Sequence, residues 1–231
     1  MGQQRRCDDG TAIIMLLEHP AAIEDACLER LLDWTPVELA AISRFRNQCA
    51  KTSWCLARRL VRDTFREFCK IPDANRRFEY GKYGKPYIAN CLWHFNWSHA
   101  EGCVALGMMA GTEIGVDIVN THMHVKEYPA IADDLFSERE ASWIGQESGT
   151  SSWERFLSVF CQKEAHLKAQ GYGLSAGLAG ARATLNLPPH FSKGAAILAV
   201  GKEERRFLAV ETRSNCCLNL IIERAEAGAK T

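Results

Sequence analysis

Cys103-Val-Ala-Leu-Gly-Met-Met-Ala110 and Ile114-Gly-Val-Asp-Ile-Val119 are apolar stretches that meet at Gly111-Thr112, and this junction decides how the chain is organised. Both read as β-strands, the second over residues 113–119. Ile114, Val116 and Ile118 share one face of it, and Gly115, Asp117 and Val119 share the other. Asp117 is therefore an acid in mid-strand, turned away from an apolar row. Upstream, residues 35–70 carry helical spacing through Ile42, Phe45 and Cys49, then Leu56, Leu60 and Phe68. Thr35-Pro36 with Glu38 forms a capping box, the polar residues 47–52 divide the run into two helices, and Pro72 ends it. Strand and turn signals fill residues 77–97, including a Gly81–Gly84 turn and the alternating Trp93-His-Phe-Asn-Trp97. Downstream, Ser137 and Glu140 open a helix over residues 137–144, and residues 145–152 read as a loop. Residues 153–170 form a helix striped by Trp153, Phe156, Leu157, Phe160 and Leu167 and closed by Gly171-Tyr-Gly. Strand candidates follow at 195–200, 207–210 and 217–222. Helices, strands, helices, strands argue for an α+β chain in two halves, residues 1–111 and 112–231.

The chain has 231 residues, 47% apolar and 24% charged, with Lys plus Arg and Asp plus Glu both numbering 28. Zero net charge excludes a bulk basic field for nucleic acid. The longest apolar runs, such as 103–110, fall far short of the roughly 20 residues of a membrane helix. Residues 1–10 are polar, with Arg5, Arg6, Asp8 and Asp9, so no secretory signal is expected. Arg6 stands where a myristoylation motif needs Ser or Thr. None of the ten cysteines has the two-residue gap of a zinc knuckle, and reduced thiols in a cytoplasmic protein are expected. His122-Met-His124 reads as a solvated loop rather than a metal site.

Three segments carry chemistry. Tyr83-Gly-Lys-Pro-Tyr holds Lys85 between Gly84 and Pro86, which suits an anion such as phosphate. Phe95-Asn-Trp-Ser-His ends an aromatic strand with Ser98 and His99, placing a hydroxyl and an imidazole at a loop mouth. Asp117 on a strand and Glu164 on a helix are a carboxylate pair for a hard cation. Magnesium wants one or two carboxylates plus substrate phosphates. Lys168, one turn after Glu164, is either an i, i+4 surface partner or a phosphate clamp. Arg58, Arg62 and Arg66 recur every four residues beside Arg59, as a solvated helix face or a landing surface for an acidic partner. A thiol enzyme on Cys161 and His166 fails, since side chains five residues apart on a helix point about 140° apart.

In this order the motifs resemble the Sfp-like 4′-phosphopantetheinyl transferases. The match runs through Leu60-Val-Arg62, Phe78-Glu-Tyr-Gly-Lys-Tyr-Gly-Lys-Pro86, Phe95-Asn-Trp-Ser-His99, Ile114-Gly-Val-Asp-Ile118 and Lys163-Glu-Ala-x-x-Lys-Ala-x-Gly-x-Gly-Leu174, across roughly residues 35–175. The resemblance implies two similar α+β halves around a pseudo-twofold axis with coenzyme A between them. It implies magnesium-dependent (or manganese-dependent) transfer of the phosphopantetheine arm to a serine of an apo acyl or peptidyl carrier protein, an acidic helical domain. Lys85 and Pro86 would then meet the coenzyme A phosphates. Ser98 and His99 would hold the 3′-phosphate and pyrophosphate region. Asp117 and Glu164 would ligate the metal, and Lys168 would neutralise the pyrophosphate. The expected partners include neither nucleic acid nor membrane, and a monomer is expected. Two departures stand out. Many relatives carry a second acid two residues after the Asp, where this chain has Val119, and a water is expected in its place. Basic residues that many relatives carry near Glu38 and Ala41 are absent, with Arg44 or Arg46 the expected substitute. Val119 also keeps open the alternative of a degenerate module that binds coenzyme A or a carrier without turnover.

Overall fold

The computed structural model describes residues 4–7, 12–18, 22–31, 34–71, 78–100, 102–120, 125–172, 195–200, 203–211 and 216–222. The chain is α+β. One four-stranded antiparallel sheet comprises β1 (Gln4–Cys7), β2 (Ala12–Glu18), β5 (Trp93–Ala100) and β6 (Cys103–Ala110), in the order β1-β2-β6-β5. A short hairpin of β3 (Phe78–Tyr80) and β4 (Pro86–Ile88) lies beside it. A second antiparallel sheet comprises β7 (Ile114–Asn120), β8 (Ala195–Val200), β9 (Glu203–Glu211) and β10 (Cys216–Ile222), in the order β7-β10-β9-β8. The chain passes from one sheet to the other at residues 111–113. The pattern predicts β6 and β7 as consecutive strands, and they are, but they pair with different partners. Among the described residues no helix is long and apolar enough to cross a membrane.

The helices form where their ends are chemically specified. In α2 (Pro36–Ile42) the Thr35 hydroxyl accepts from the Glu38 amide at 3.3 Å, while Glu38 accepts from the Thr35 amide at 2.9 Å. The same reciprocal pair, Ser137 and Glu140, opens α5 (Glu138–Gly145). α3 (Gln48–Thr64) begins where the Asn47 side chain accepts from Ala50 N, so the break between the first helices falls at residues 43–47, just before the polar stretch predicted to hold it. A π-helical turn, Phe65–Cys69, extends α3. α6 (Gly149–Ala169) starts four residues earlier than its apolar stripe suggests. Tertiary contacts explain this: the Ser152 hydroxyl donates to Ile144 O and accepts from Tyr128. Its end follows expectation. Gly171 takes φ +77°, its amide donates to Lys168 O, and the Tyr172 amide donates to Leu167 O, the two bonds of a Schellman cap. The pattern gave no element for α1 (Asp25–Glu29), α4 (Tyr128–Leu135), β1 or β2. Each is short or a plain apolar run: β1 is held by its ladder to β2, and packing rather than local signal holds the other three.

The first sheet buries both faces. Ile13, Phe95, Leu106 and Met108 pack on Val61 and Phe65 beneath α3. Ile14, Cys103 and Ala105 pack on Ile114, Val116 and Ile118 of β7. The opposite face of β7 carries α6 at close range. A Cβ built on Gly115 would lie 1.9 Å from Ala165 O and 2.5 Å from Ala169 N. Only hydrogen fits there, and this contact sets the height of α6 above the strand that bears Asp117.

Arg58 and Arg62 overturn one expectation. Both are buried. The Arg58 guanidinium lies 4.9 Å from the Trp54 ring, 5.4 Å from Phe78 and 5.1 Å from Trp97, and donates to the Tyr80 hydroxyl at 3.0 Å. It is neither a solvated face nor a landing surface. Stacking on three rings fastens the β3–β4 hairpin to α3. Arg59 and Arg66 remain on the outside, both turned to Asp63.

Gly115→Ala is expected to lose about 3 kcal/mol of stability, because both atoms it meets are backbone. Urea unfolding reads this, and a change under about 0.5 kcal/mol would show that α6 can lift freely.

Candidate active site

Strand β7 and helix α6 bring the predicted acids together. Asp117, on the α6 face of β7, is 5% exposed, and Glu164, on the inner side of α6, is 4% exposed. Ser98 reaches the same point from β5, the neighbouring edge strand of the other sheet. Its hydroxyl donates to Asp117 Oδ1 at 2.9 Å. Lys168 Nζ donates to Asp117 Oδ1 at 2.5 Å and to Ser98 Oγ at 3.0 Å. Lys168 is therefore not a surface partner of Glu164 but the cation of a Ser98–Asp117–Lys168 cluster. Asn96, two residues before Ser98 on the same face, accepts the Val116 amide at 2.9 Å and closes the seam between the sheets beside Asp117.

Glu164 lacks such company. Among the described residues its buried Oε1 has no hydrogen-bond partner. Burial raises its carboxyl first, the Asp117 charge raises it further, Lys168 offsets part of this, and the result is about 7. Two hard oxygen donors repelling each other across a buried gap fit a divalent cation, which two carboxylates plus substrate phosphates can hold. Among the described residues no group of three His, Cys, Asp or Glu side chains gathers. Val119 shares the face of Asp117 but packs against the apolar cluster of α4, α5 and α6, so it contributes no ligand.

The other expected residues are placed as follows. Ser98 and His99 do not sit at a loop mouth, because β5 runs on to Ala100. The strand's alternation buries Ser98 and exposes His99, so the two face opposite ways. Lys85 donates to Glu113, to Ile114 O at 3.2 Å and to Ala169 O at 2.6 Å, all within the protein. Pro86 is buried at the start of β4. Arg44 and Arg46 are exposed on the connection between α2 and α3. Lys163, beside Glu164 in sequence, turns away and forms a buried ion pair with Glu140 at 3.0 Å over the Phe136 ring, bracing α5 on α6. Residues 122–124 and 173–174 lie outside the described residues.

Three participants escaped the sequence: Asn96, Glu113 and His94. His94 Nδ1 lies 2.8 Å from Glu113 Oε1. Burial works against the Glu113 charge, but the His94 hydrogen bond and the Lys85 ammonium outweigh it and hold the carboxyl at about 2. No local pattern marks this group, since its members come from the β3–β4 turn, β5 and the lead-in to β7. Strict alternation along β5 was the one available signal for Asn96, on the face of Ser98.

Residues 113–209, which include Asp117, Glu164 and Lys168, match the family described as the 4′-phosphopantetheinyl transferase superfamily. The chain is 30% identical over 161 residues to 4′-phosphopantetheinyl transferase psf-1 of Bacillus pumilus, covering 65% of this chain and 67% of that protein. It is 29% identical over 116 residues to 4′-phosphopantetheinyl transferase gsp of Aneurinibacillus migulanus, covering 50% of this chain and 46% of that one. With 4′-phosphopantetheinyl transferase Sfp of Bacillus subtilis (strain 168) the identity is 31% over 117 residues, 50% of each. The matches thus span from about half to two thirds of the length of these relatives.

Glu164 makes the metal-free protein pH-dependent. A carboxyl held at about 7 in the fold and near 4.5 in the unfolded chain binds a proton on folding between those values. Stability then falls as pH rises from ~4.5 to ~7 and levels off above, by about 1–3 kcal/mol. Glu164→Gln should abolish this fall, as read by urea unfolding in the presence of a chelator. An unchanged pH profile would refute the assignment.

Proposed function

The chain belongs to the 4′-phosphopantetheinyl transferase superfamily, and from that premise we propose that it moves the phosphopantetheine arm of coenzyme A onto a serine of an apo acyl or peptidyl carrier protein. The carrier hydroxyl attacks the phosphorus that bears the pantetheine arm. The P–O bond to the adenosine half breaks, adenosine 3′,5′-bisphosphate leaves, and the serine proton goes to a base. The observation that carries this reading is the convergence of Asp117, Glu164 and Lys168 from β7 and α6 on one buried point.

Asp117 and Glu164 would hold magnesium, or manganese in its place, and the ion supplies the positive charge that a diphosphate ester needs to accept a nucleophile. Lys168 now neutralises Asp117. With a cation held by Asp117 and Glu164, the Lys168 ammonium would be available to neutralise the diphosphate and the leaving group. Glu164 is also the candidate acceptor of the serine proton, but a carboxylate that holds a cation is a weak base, so the two roles compete. Most of the rate then comes from positioning and charge neutralisation.

We read the two four-stranded sheets as related halves, residues 1–111 and 112–231, with coenzyme A between them. Support comes from their equal strand number and from a long helix on each, α3 and α6. An acidic carrier would be steered by exposed Lys82 and Arg66 rather than by Arg58 or Arg62. Cys27, Cys49, Cys55, Cys69, Cys91, Cys103 and Cys161 are free thiols, which supports a reducing compartment such as the cytoplasm. The non-ligating Val119 favours one second reading, a module that binds coenzyme A or a carrier without turnover.

Incubation with coenzyme A, Mg²⁺ and a panel of apo carriers, followed by mass spectrometry, decides between them. The expected result is a phosphopantetheine adduct on at least one carrier. Coenzyme A binding in calorimetry with no adduct under either Mg²⁺ or Mn²⁺ would establish the second reading instead. Asp117→Asn and Glu164→Gln should each lower transfer by about a hundredfold or more while remaining folded by circular dichroism. Full activity in either would remove that residue from the mechanism.

A further inference from the structure

Lys85 leaves the β3–β4 hairpin beside the first sheet and ends against the second. An ammonium has three hydrogens, and three acceptors surround this one: the Glu113 carboxylate, Ile114 O and Ala169 O. Glu113 and Ile114 are the lead-in and first residue of β7. Ala169 is the last residue of α6, and its carbonyl is one of those a helix end leaves without an internal partner. A cation is favourable there on dipole grounds as well. The helix terminates around this side chain, since the Lys85 stem lies 3.7 Å from the position of a Cβ on Gly171. His94 holds the second oxygen of Glu113, and Glu113 stays ionised far below neutral pH. Sending the ammonium to a ligand phosphate would leave a half-buried carboxylate without its cation and a helix end without its donor.

We propose that Lys85, Glu113 and His94 form a positioning clasp that fixes the end of α6 on the start of β7, so that Lys168 and Glu164 are held in place against Asp117. The elements concerned are those that carry the site. Ala169 follows Lys168 directly, Ile114 precedes Asp117 by three residues, and the Gly115–Ala165 contact lies between. Lys85 and His94 belong to the first half in sequence and Glu113 to the second, so the clasp makes the geometry of one depend on the other. Its catalytic consequence rests on the transfer reaction proposed above, but its structural consequence does not.

Hydrogen exchange on the metal-free, ligand-free protein tests the structural part. In Lys85→Met and in Glu113→Gln the amides of Gln170, Gly171 and Tyr172, which bond to the last turn of α6, should exchange about tenfold faster or more, with the amides of α3 unchanged. In transfer assays both variants should lose about tenfold or more in kcat, with KM for coenzyme A within about twofold. The two variants discriminate sharply, because Glu113→Gln removes the carboxylate that opposes Lys85 and keeps the ammonium. If Lys85 serves a phosphate instead, Lys85→Met raises KM for coenzyme A while Glu113→Gln leaves kcat intact and lowers KM, and the clasp is overturned. Unchanged exchange in both variants overturns it as well. Should Lys85→Met fail to fold, Glu113→Gln alone decides by the same criteria. A wild type that transfers nothing refutes the proposed reaction, and the exchange comparison still decides the clasp.

Discussion

A helix that rests on bare backbone governs this molecule. At residue 115 the strand offers no side chain, and Ala165 and Ala169, four residues apart on α6, settle into the gap. Side chains one position either way would separate strand and helix by the thickness of a methyl or more. At that distance Lys168 Nζ would no longer reach Asp117 Oδ1 across 2.5 Å. The Schellman cap at Gly171 then stops the helix at the contact, two residues past Ala169, and the capping box at Ser137 anchors the preceding helix against the same core. Local signals and one close contact therefore converge on a single geometry.

The charges at the site are unequal by construction. Asp117 has two donors, Ser98 and Lys168, within hydrogen-bond reach. Glu164 sits in the field of Asp117 with an oxygen that no described group satisfies, and it keeps a proton at a pH where an ordinary carboxylate has none. Lys163, the next residue in the chain, is spent on Glu140 and offers no relief. Such an arrangement stores an unmet demand for positive charge in a place with few competitors. Glu113, by contrast, is oversupplied with donors and is held low.

Much of this was legible beforehand, for identifiable reasons. The alternation from Ile114 to Val119 placed Asp117 correctly, because one apolar face against a sheet leaves a strand little choice of register. The Thr35, Ser137 and Gly171 signals worked because caps are local chemistry between residues three to six apart. Arg58 and Arg62 misled because a helical row of arginines looks solvated in sequence. The rings that receive Arg58 include Phe78 and Trp97, twenty and thirty-nine positions away. Lys85 was recognised as a fixed cation, but its partner Ala169 lies eighty-four residues downstream. Ser98 and His99 were taken as a pair because they are adjacent, whereas strand alternation sends neighbours to opposite faces. Nothing in the local sequence separated α4 or β2 from their surroundings, since both owe their form to what packs on them.

The seam between the sheets has a further consequence. β5 and β7 each end a sheet, and they lie alongside one another without a ladder, joined instead by the Asn96 amide and the Ser98 hydroxyl. Asn96 takes up the Val116 amide on the open edge of β7. A chain severed at Gly111 would yield two fragments, one baring an eight-residue strand and the other a seven-residue strand. With their unpaired backbone groups uncovered, these would template pairing between molecules. Aggregation rather than independent folding is the fate that this topology assigns to either fragment by itself.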